Sequence, residues 1–298
     1  FLSENADFAD ACAQRGLTFI GPSGDAIRRA GSKSAAKTRM QQAGVPVTPG
    51  SQGPVESVEA AQAVAESVGY PVLLKASAGG GGRGIRRVYG PEELPEAFES
   101  ARAEAVACFG NGEMYLEKLI LRPRHIEVQI LADRHGHVIS LGDRDCSVQR
   151  RNQKLLEEAP AWGLSAELRK EMGQAAVRAA KAVGYENAGT VEFLLDPDGQ
   201  HFYFMEMNTR IQVEHGITEL VTGVDLVREQ LRIASGLPLS VTQEEVRITG
   251  HAMECRVNAE DPAADFRPCP GTVEFLHFPG GSEERRVGKE CRSRWSPY

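Results

Sequence analysis

The chain has 298 residues, of which 41% are hydrophobic and 25% charged, so a large folded core in two lobes is expected. Its net charge of −7 disfavours general binding to nucleic acid or a membrane surface, and no apolar run approaches the roughly 18 residues that span a bilayer. Six cysteines without a close CxxC pair favour a cytoplasmic protein with reduced thiols. An organellar address stays open, because the chain begins at Phe1 without a methionine.

Helical patterns dominate the N-terminal part of the chain. They predict a helix over residues 4–15, a short strand over residues 17–20 and a second helix over residues 25–43. The second helix is followed by a glycine and a proline, which together end helices. More prolines and glycines come next and mark a linker, so we place a domain boundary near residue 47.

Residues 47–119 are predicted to form a small α+β lobe. Its elements, in chain order, are a helix (55–69), a strand (70–76), a glycine-rich loop (77–84), a strand (85–89), a helix (91–108) and a strand (114–118).

The stretch from residue 120 to residue 281 is predicted to form a larger lobe. Its elements are strands over 125–131 and 138–143, a helix over 165–183, strands over 190–195 and 201–207, a helix over 225–235 and a strand over 251–258. The fold class expected for the whole chain is therefore α+β.

The glycine-rich loop is the first motif with chemical meaning. Four consecutive glycines, Gly79–Gly82, cannot form a helix or strand interior, but their N–H groups suit a phosphate. The Walker pattern is absent, and the strand that follows, where a helix would be needed, excludes a dinucleotide fingerprint. With Lys75 just upstream, we interpret the loop as a phosphate-binding flap; the alternative is a mobile linker.

Two glutamates are placed symmetrically about a predicted turn. Gly199 is the midpoint between Glu192 and Glu206, so a hairpin centred there sets the two carboxylates opposite each other. A divalent cation offsets such repulsion, and oxygen ligands suit Mg²⁺, to which Asn208 adds an amide oxygen. The alternative, two solvated glutamates, fits the apolar flanking residues less well.

A polar alternation follows this hairpin. Arg210, Gln212 and Glu214 continue the spacing of two residues from Glu206, provided that the chain stays extended. A guanidinium between amides suits a small planar anion, because its two N–H groups match a carboxylate. The alternative is a charged loop.

A basic run, Arg144, Arg150, Arg151 and Lys154, is flanked by acidic residues. Such a run is most often a solvated or nucleic-acid-binding face. On an acidic chain, we interpret it as a confined anion site.

Several segments together resemble one family. KASAGGGGRG, EKLILRPRHIEVQ, RDCSVQRRNQK, EEAPA, EMNTRIQVEH and GHAMECRVNAEDP resemble the ATP-grasp core of biotin carboxylase, from Phe1 to about Gly281. The resemblance implies an ATP-grasp fold divided into a remnant of a Rossmann-like lobe (1–46), a lid (47–119) and an incomplete catalytic lobe (120–281). The tail, residues 282–298, does not resemble the family and is interpreted as a cloning or reading-frame scar.

The resemblance also implies roles for individual residues. Those expected to bind ATP are Lys33, Lys75, Gly80, Gly81, Gly82, Glu117, Lys118, His125, Gln149 and Asn152. Those expected to hold Mg²⁺ or Mn²⁺ are Glu192, Glu206 and Asn208. Bicarbonate is expected at Lys154, Arg210, Gln212 and the backbone of Val213, with Glu214 as its general base, and Arg256 is expected to stabilise the enolate of biotin. Asn152 stands where some family members carry histidine.

The implied reaction is ATP-dependent carboxylation of biotin by bicarbonate through carboxyphosphate, the first half-reaction of a biotin-dependent carboxylase. ATP, Mg²⁺ and biotin on a carrier domain are the implied ligands. A carboxyltransferase component and a second copy of the chain are the implied partners. Two alternatives remain open, another ATP-grasp ligase such as one half of carbamoyl phosphate synthetase, and an inert nucleotide-binding fragment.

Overall fold

The computed structural model describes residues 2–31, 33–77, 84–272 and 275. Its contacts divide the chain into a large unit, Phe1–Arg256, and a second unit, Val257–Tyr298. The flap residues Gly80, Gly81 and Gly82, the side chain of Lys33 and the tail 282–298 lie outside the described residues, so the predictions for them stay predictions.

The large unit begins with three helices, α1 (Ala6–Gln14), α2 (Gly24–Gly31) and α3 (Lys33–Gln42). The single helix predicted over 25–43 is therefore two helices. The predicted strand over 17–20 is wrong, because these residues pair with no strand in the described part of the chain and both Leu17 and Ile20 are exposed.

The smaller of its two sheets has three antiparallel strands in the order β2-β1-β3. Its elements are α4 (Val58–Val68), β1 (Val72–Ala76), β2 (Ile85–Val88), α5 (Leu94–Phe109) and β3 (Met114–Lys118). Ser57 caps α4, and the helices bury alanines and Phe98 against Val72, Leu74 and Leu116 of the sheet. The order helix, strand, strand, helix, strand that the sequence predicts for this part of the chain is thus confirmed.

The larger sheet has six antiparallel strands in the order β8-β7-β4-β5-β6-β9. The strands are β4 (Arg124–Ala132), β5 (Val138–Arg150), β6 (Gln153–Ala159), β7 (Asn187–Leu195), β8 (Phe202–Asn208) and β9 (Ala252–Cys255), and the helices are α6 (Ala166–Val183), α7 (His215–Thr222) and α8 (Leu226–Ala234). Sequence patterns missed β6 and α7.

The two faces of the large sheet differ in chemistry. On β4, Ile126 and Val128 point into an apolar core shared with α6, whose Met172 is fully buried there. Because side chains alternate along a strand, Glu127 and Gln129 point to the other face. That face is also buried, yet it is polar, and the candidate site is built on it.

In the second unit, two-residue strands β10 (Glu260–Asp261) and β11 (Arg267–Pro268) pair with each other around a 3₁₀ turn. Within the described ranges of the chain, no helix is both long and apolar enough to cross a membrane.

Candidate active site

A cavity of about 1040 Å³ is lined by residues from both sheets of the large unit. Lys75 of β1 and Glu117 of β3 come from the small sheet, and Glu206 of β8 comes from the large one. Gly50 of the linker runs along its edge, where a Cβ atom would lie 2.2 Å from the carbonyl oxygen of Leu116, so only glycine fits this close approach.

Two lysines share one carboxylate in this cavity. Lys75 Nζ lies 2.5 Å from Glu117 Oε2, and Lys37 Nζ lies 2.9 Å from Glu117 Oε1. Burial opposes ionisation of Glu117, but the two ammonium groups outweigh it and lower its pKa. Lys118 donates to the carbonyl oxygens of Gly69 and Tyr70. The two lysines on one carboxylate suit a phosphate group. The sequence analysis missed Lys37, because its helix shows no motif.

A fully buried arginine anchors the polar face of the large sheet. Arg144 of β5 donates from Nε to Glu127 Oε1 at 2.5 Å. Its two Nη atoms make four more bonds, to Gln129, Thr218, Thr190 and Gln212. All five N–H donors of the guanidinium are therefore used within the protein. The interpretation of Arg144 as part of an anion site is wrong, because neighbouring side chains leave it no donor for an anion.

Lys154 of β6 lies among three carboxylates. Its Nζ is 2.5 Å from Glu127 Oε2, 2.7 Å from Glu192 Oε1 and 2.8 Å from Glu214 Oε1. These charges raise the pKa of Lys154 although its burial works against them. Glu127 was missed by the sequence interpretation, although the alternation of His125, Glu127 and Gln129 within an apolar strand was a signal of a polar face.

A histidine lies beside Glu192. Gln149 Nε2 donates to Nδ1 of His125 at 2.8 Å, which leaves the proton on Nε2, 2.9 Å from Glu192 Oε2. Burial alone would raise the pKa of Glu192, but His125 and Lys154 lower it to about 2. Glu192 is therefore a fully ionised carboxylate at neutral pH.

The hairpin register agrees with the symmetry argument. Glu192 and Glu206 are directly paired, around a turn at Asp196–Gly199. The register shifts by one residue between Glu192 and Phe193. Glu206 is exposed in the cavity, whereas Asn208 donates from Nδ2 to Glu192 Oε1 at 2.8 Å.

The predicted alternation beyond this hairpin is wrong in its conformation. β8 ends at Asn208, and the chain turns so that Glu214 becomes the N-cap position of α7. Gln212 and Glu214 nevertheless reach the site, since Gln212 Nε2 donates to Glu192 Oε1 at 3.1 Å. Nε of Arg210 lies 3.1 Å from Oε2 of Glu4. Val213 is partly exposed in the turn.

The remaining basic residues lie at a hairpin tip. Arg151 and Asn152 form the two-residue turn between β5 and β6, with φ values of 51° and 65° that match a type I′ turn. Asn152 is exposed at this tip, away from the buried carboxylates. Lys154 is the residue of the predicted basic run that the structure places against Glu192 and Glu214.

Arg256 completes the arrangement from the end of β9. Its Nη2 lies 3.6 Å from Glu214 Oε2, so Glu214 faces Lys154 through one oxygen and Arg256 through the other. Glu214 is only 2% exposed. A carboxylate held between two cations in a buried site can position and deprotonate a small anion that lies beside it.

Comparisons with known proteins identify the family of the chain. A family model described as the ATP-binding domain of the carbamoyl-phosphate synthase L chain matches residues 32–242, and one described as the biotin carboxylase N-terminal domain matches residues 1–27. The biotin carboxylase of Nostoc sp. is 60% identical over 281 residues, which are 94% of this chain and 63% of that protein. The chain thus spans less than two thirds of the length of the curated relatives it matches.

The chain is also similar to solved structures of biotin carboxylases. The biotin carboxylase of Campylobacter jejuni in complex with β-γ-ATP has a TM-score of 0.83 and 50% identity, covering 95% of this chain and 63% of that one. The biotin carboxylase domain dimer of Hydrogenobacter thermophilus 2-oxoglutarate carboxylase, with MgADP, ADP and bicarbonate, has a TM-score of 0.82 and 53% identity, covering 95% and 62%. These likenesses confirm the predicted ATP-grasp fold. The chain belongs to the family of carbamoyl-phosphate synthase L chain ATP-binding domains, and the relatives named above are biotin carboxylases or biotin carboxylase domains.

Proposed function

We propose that this protein uses ATP to carboxylate biotin, held on a carrier protein, with bicarbonate. The observation that carries the proposal is the contact of Lys154 with both Glu192 and Glu214, next to a strand pair whose Glu206 lines the same cavity as Lys37 and Lys75. The cations of β1 and α3 thus meet the large sheet at Glu206, whose strand partner Glu192 contacts Lys154, and this proximity is what phosphoryl transfer to bicarbonate requires.

The chemistry divides between the two groups of residues. Lys75 and Lys37 hold the ATP phosphates. Lys154 gives up one of its three carboxylate contacts and holds bicarbonate together with Gln212. Glu214 removes the proton of bicarbonate as its oxygen attacks the γ-phosphate, which gives carboxyphosphate and ADP. Carboxyphosphate then breaks into CO₂ and phosphate. The phosphate takes a proton from the ureido nitrogen of biotin, Arg256 stabilises the resulting enolate, and the nitrogen captures CO₂.

Magnesium fits the donor set of the hairpin. Glu192 is ionised, Glu206 is paired with it across the two strands, and Asn208 adds an amide oxygen, all of them ligand types that Mg²⁺ prefers. Magnesium held there would neutralise charge on the ATP phosphates. Asn208 now donates to Glu192, so its amide would have to turn to offer its oxygen.

The proposed partners are a biotin carboxyl carrier domain, a carboxyltransferase component and a second copy of the chain. A dimer is named for the Hydrogenobacter thermophilus relative, which supports the last of these. The proposed location is the cytoplasm, or a plastid in a plant, since one relative is the chloroplastic biotin carboxylase of Arabidopsis thaliana.

The test is bicarbonate-dependent ATP hydrolysis with free biotin. We expect free biotin to stimulate it and Glu214→Gln to abolish it, because the amide cannot accept the proton of bicarbonate, while the Kd for ATP stays within about twofold. Calorimetric titration with ATP provides the second measurement. A collapse of ATP binding in Glu214→Gln would contradict the role of base. Turnover indifferent to biotin would favour another ATP-grasp ligase, and thermal stabilisation by Mg-ATP without turnover would favour an inert fragment.

A further inference from the structure

Glu157 of β6 is a buried carboxyl group that the mechanism above does not use. It is 0% exposed, and neither of its oxygens has a hydrogen-bond partner among the described residues. Glu127, which is also 0% exposed, accepts bonds from Arg144 and Lys154. A buried carboxyl without partners costs free energy and calls for an explanation.

An irregularity in β6 turns Glu157 towards the site. Lys154 and Leu156 pair with the adjacent residues Gln149 and Val148 of β5, so β6 contains one extra residue at this point. In a regular strand, residues three apart point to opposite faces. The extra residue of the bulge brings Glu157 to the same face as Lys154. The side chain therefore points to the face of the sheet that carries Glu214.

A second acid lies directly across from it. Glu254 of β9 pairs with Glu157 in the strand register, and it is partly exposed. Two carboxylates in such positions repel each other unless one of them holds a proton. Burial first, and then the charge of Glu214, raises the pKa of Glu157 to about 7. Burial, then Glu157 and Glu214, raises the pKa of Glu254 to about 7 as well.

Among the charged groups around Glu157 and Glu254, Glu214 is the one with which the pair can exchange a proton. Arg256 and Lys154 face Glu157 and favour its ionised form, but both already contact Glu214. The charge of Glu127 on β4 raises the pKa of Glu157, and the charge of Arg144 on β5 lowers the pKa of Glu254.

The titratable residues of α7, the helix that packs on β6 and β9, bond elsewhere. His215 contacts the carbonyl oxygen of Gln212, and Glu219 accepts from the N–H of Leu226.

We propose that Glu157 and Glu254 receive the proton that Glu214 removes from bicarbonate, and release it to solvent. This inference rests on the proposed function. The O–H bond of bicarbonate breaks, its electron pair stays on the oxygen that attacks phosphorus, and the proton moves to the carboxylate of Glu214. It then passes through one water molecule to the carboxylate of Glu157, on to Glu254, and from its partly exposed side chain to solvent. Glu214 is thereby ready for the next turnover.

The test compares Glu157→Gln with the wild type in the full-length protein. The amide keeps the size of the side chain but cannot carry the proton, so we expect kcat for bicarbonate-dependent ATP cleavage to fall about 10- to 100-fold, with an unchanged KM for ATP. The limb of the pH–rate profile near neutral pH should disappear. Glu157→Asp should restore part of kcat, and Glu254→Gln should act like Glu157→Gln.

Glu158→Gln is the matched control, because Glu158 is the next residue of the same strand and lies 3.4 Å from His251, away from Glu214. It should keep the wild-type kcat. A Glu157→Gln variant with the wild-type kcat and pH profile would overturn the relay alone, and a wild type without bicarbonate-dependent ATP cleavage would overturn the proposed function and the relay together.

Infrared spectroscopy tests the protonation of Glu157 and Glu254 without turnover. A carboxyl C=O band that titrates near neutral pH and is lost in Glu157→Gln supports it, and the absence of that band contradicts it.

Discussion

The two charged regions of the large unit are organised in opposite ways. In the sheet network, Arg144 and Lys154 are enclosed by Glu127, Glu192 and Glu214, and all five guanidinium donors are used. In the cavity of about 1040 Å³, two partly exposed lysines share the single carboxylate of Glu117. Both cations of the network are thus paired with buried carboxylates, whereas the cluster around Glu117 has two cations for one carboxylate.

This difference separates positioning from binding. A buried network whose bonds are all made holds its members in one geometry, which a base for a small anion needs. An incompletely paired cluster near solvent gives up its internal contacts at low cost when a phosphate arrives. The comparison therefore assigns the positioning of Glu214 to the sheet network and the exchange of ATP phosphates to the cavity.

Arg144→Met should have the largest effect on stability. It leaves Glu127 buried and short of one cation, so we expect the free energy of unfolding to fall by about 3–5 kcal/mol. Urea denaturation measures this, provided that the m-value is unchanged. Arg134→Met is the matched control, because Arg134 is half exposed and pairs with Glu186 at the surface, and it should change stability by less than about 1 kcal/mol. Equal stability of the two variants would remove the distinction between the regions.

Glu117→Gln should have a smaller effect on stability and a distinct effect on binding. Its partners Lys75 and Lys37 remain near solvent, so the free energy of unfolding should fall by about 1 kcal/mol or less. ATP should bind more tightly, because both ammonium groups are free to meet its phosphates. Calorimetric titration checks this, and a stability loss as large as that of Arg144→Met would mean that the cavity is built like the network.

Local patterns predicted the parts of the fold that depend on neighbours in sequence. Ser165 and Gly184 bound α6 as expected from helix start and stop signals. The pairing of Glu192 with Glu206 followed from counting residues about Gly199, because a short hairpin loop determines the register. These features need no knowledge of distant segments.

The features that failed depend on distant segments. Arg144 belongs to a basic run in sequence, yet it is buried because carboxylate, amide and hydroxyl groups from β4, β7 and α7 meet it. The side on which Glu157 points depends on a bulge, and one extra residue reverses the alternation. The extended conformation expected beyond Asn208 gives way to a helix start, which brings Glu214 to Lys154 by another path.

The most direct measurement of the central claim follows oxygen atoms. If bicarbonate bound at Lys154 attacks the γ-phosphate of ATP, then ¹⁸O-labelled bicarbonate should transfer one labelled oxygen to each inorganic phosphate released. Mass spectrometry of the phosphate, with ATP, magnesium and free biotin present, gives the answer. Phosphate without label would mean that water attacks ATP, and it would contradict the account.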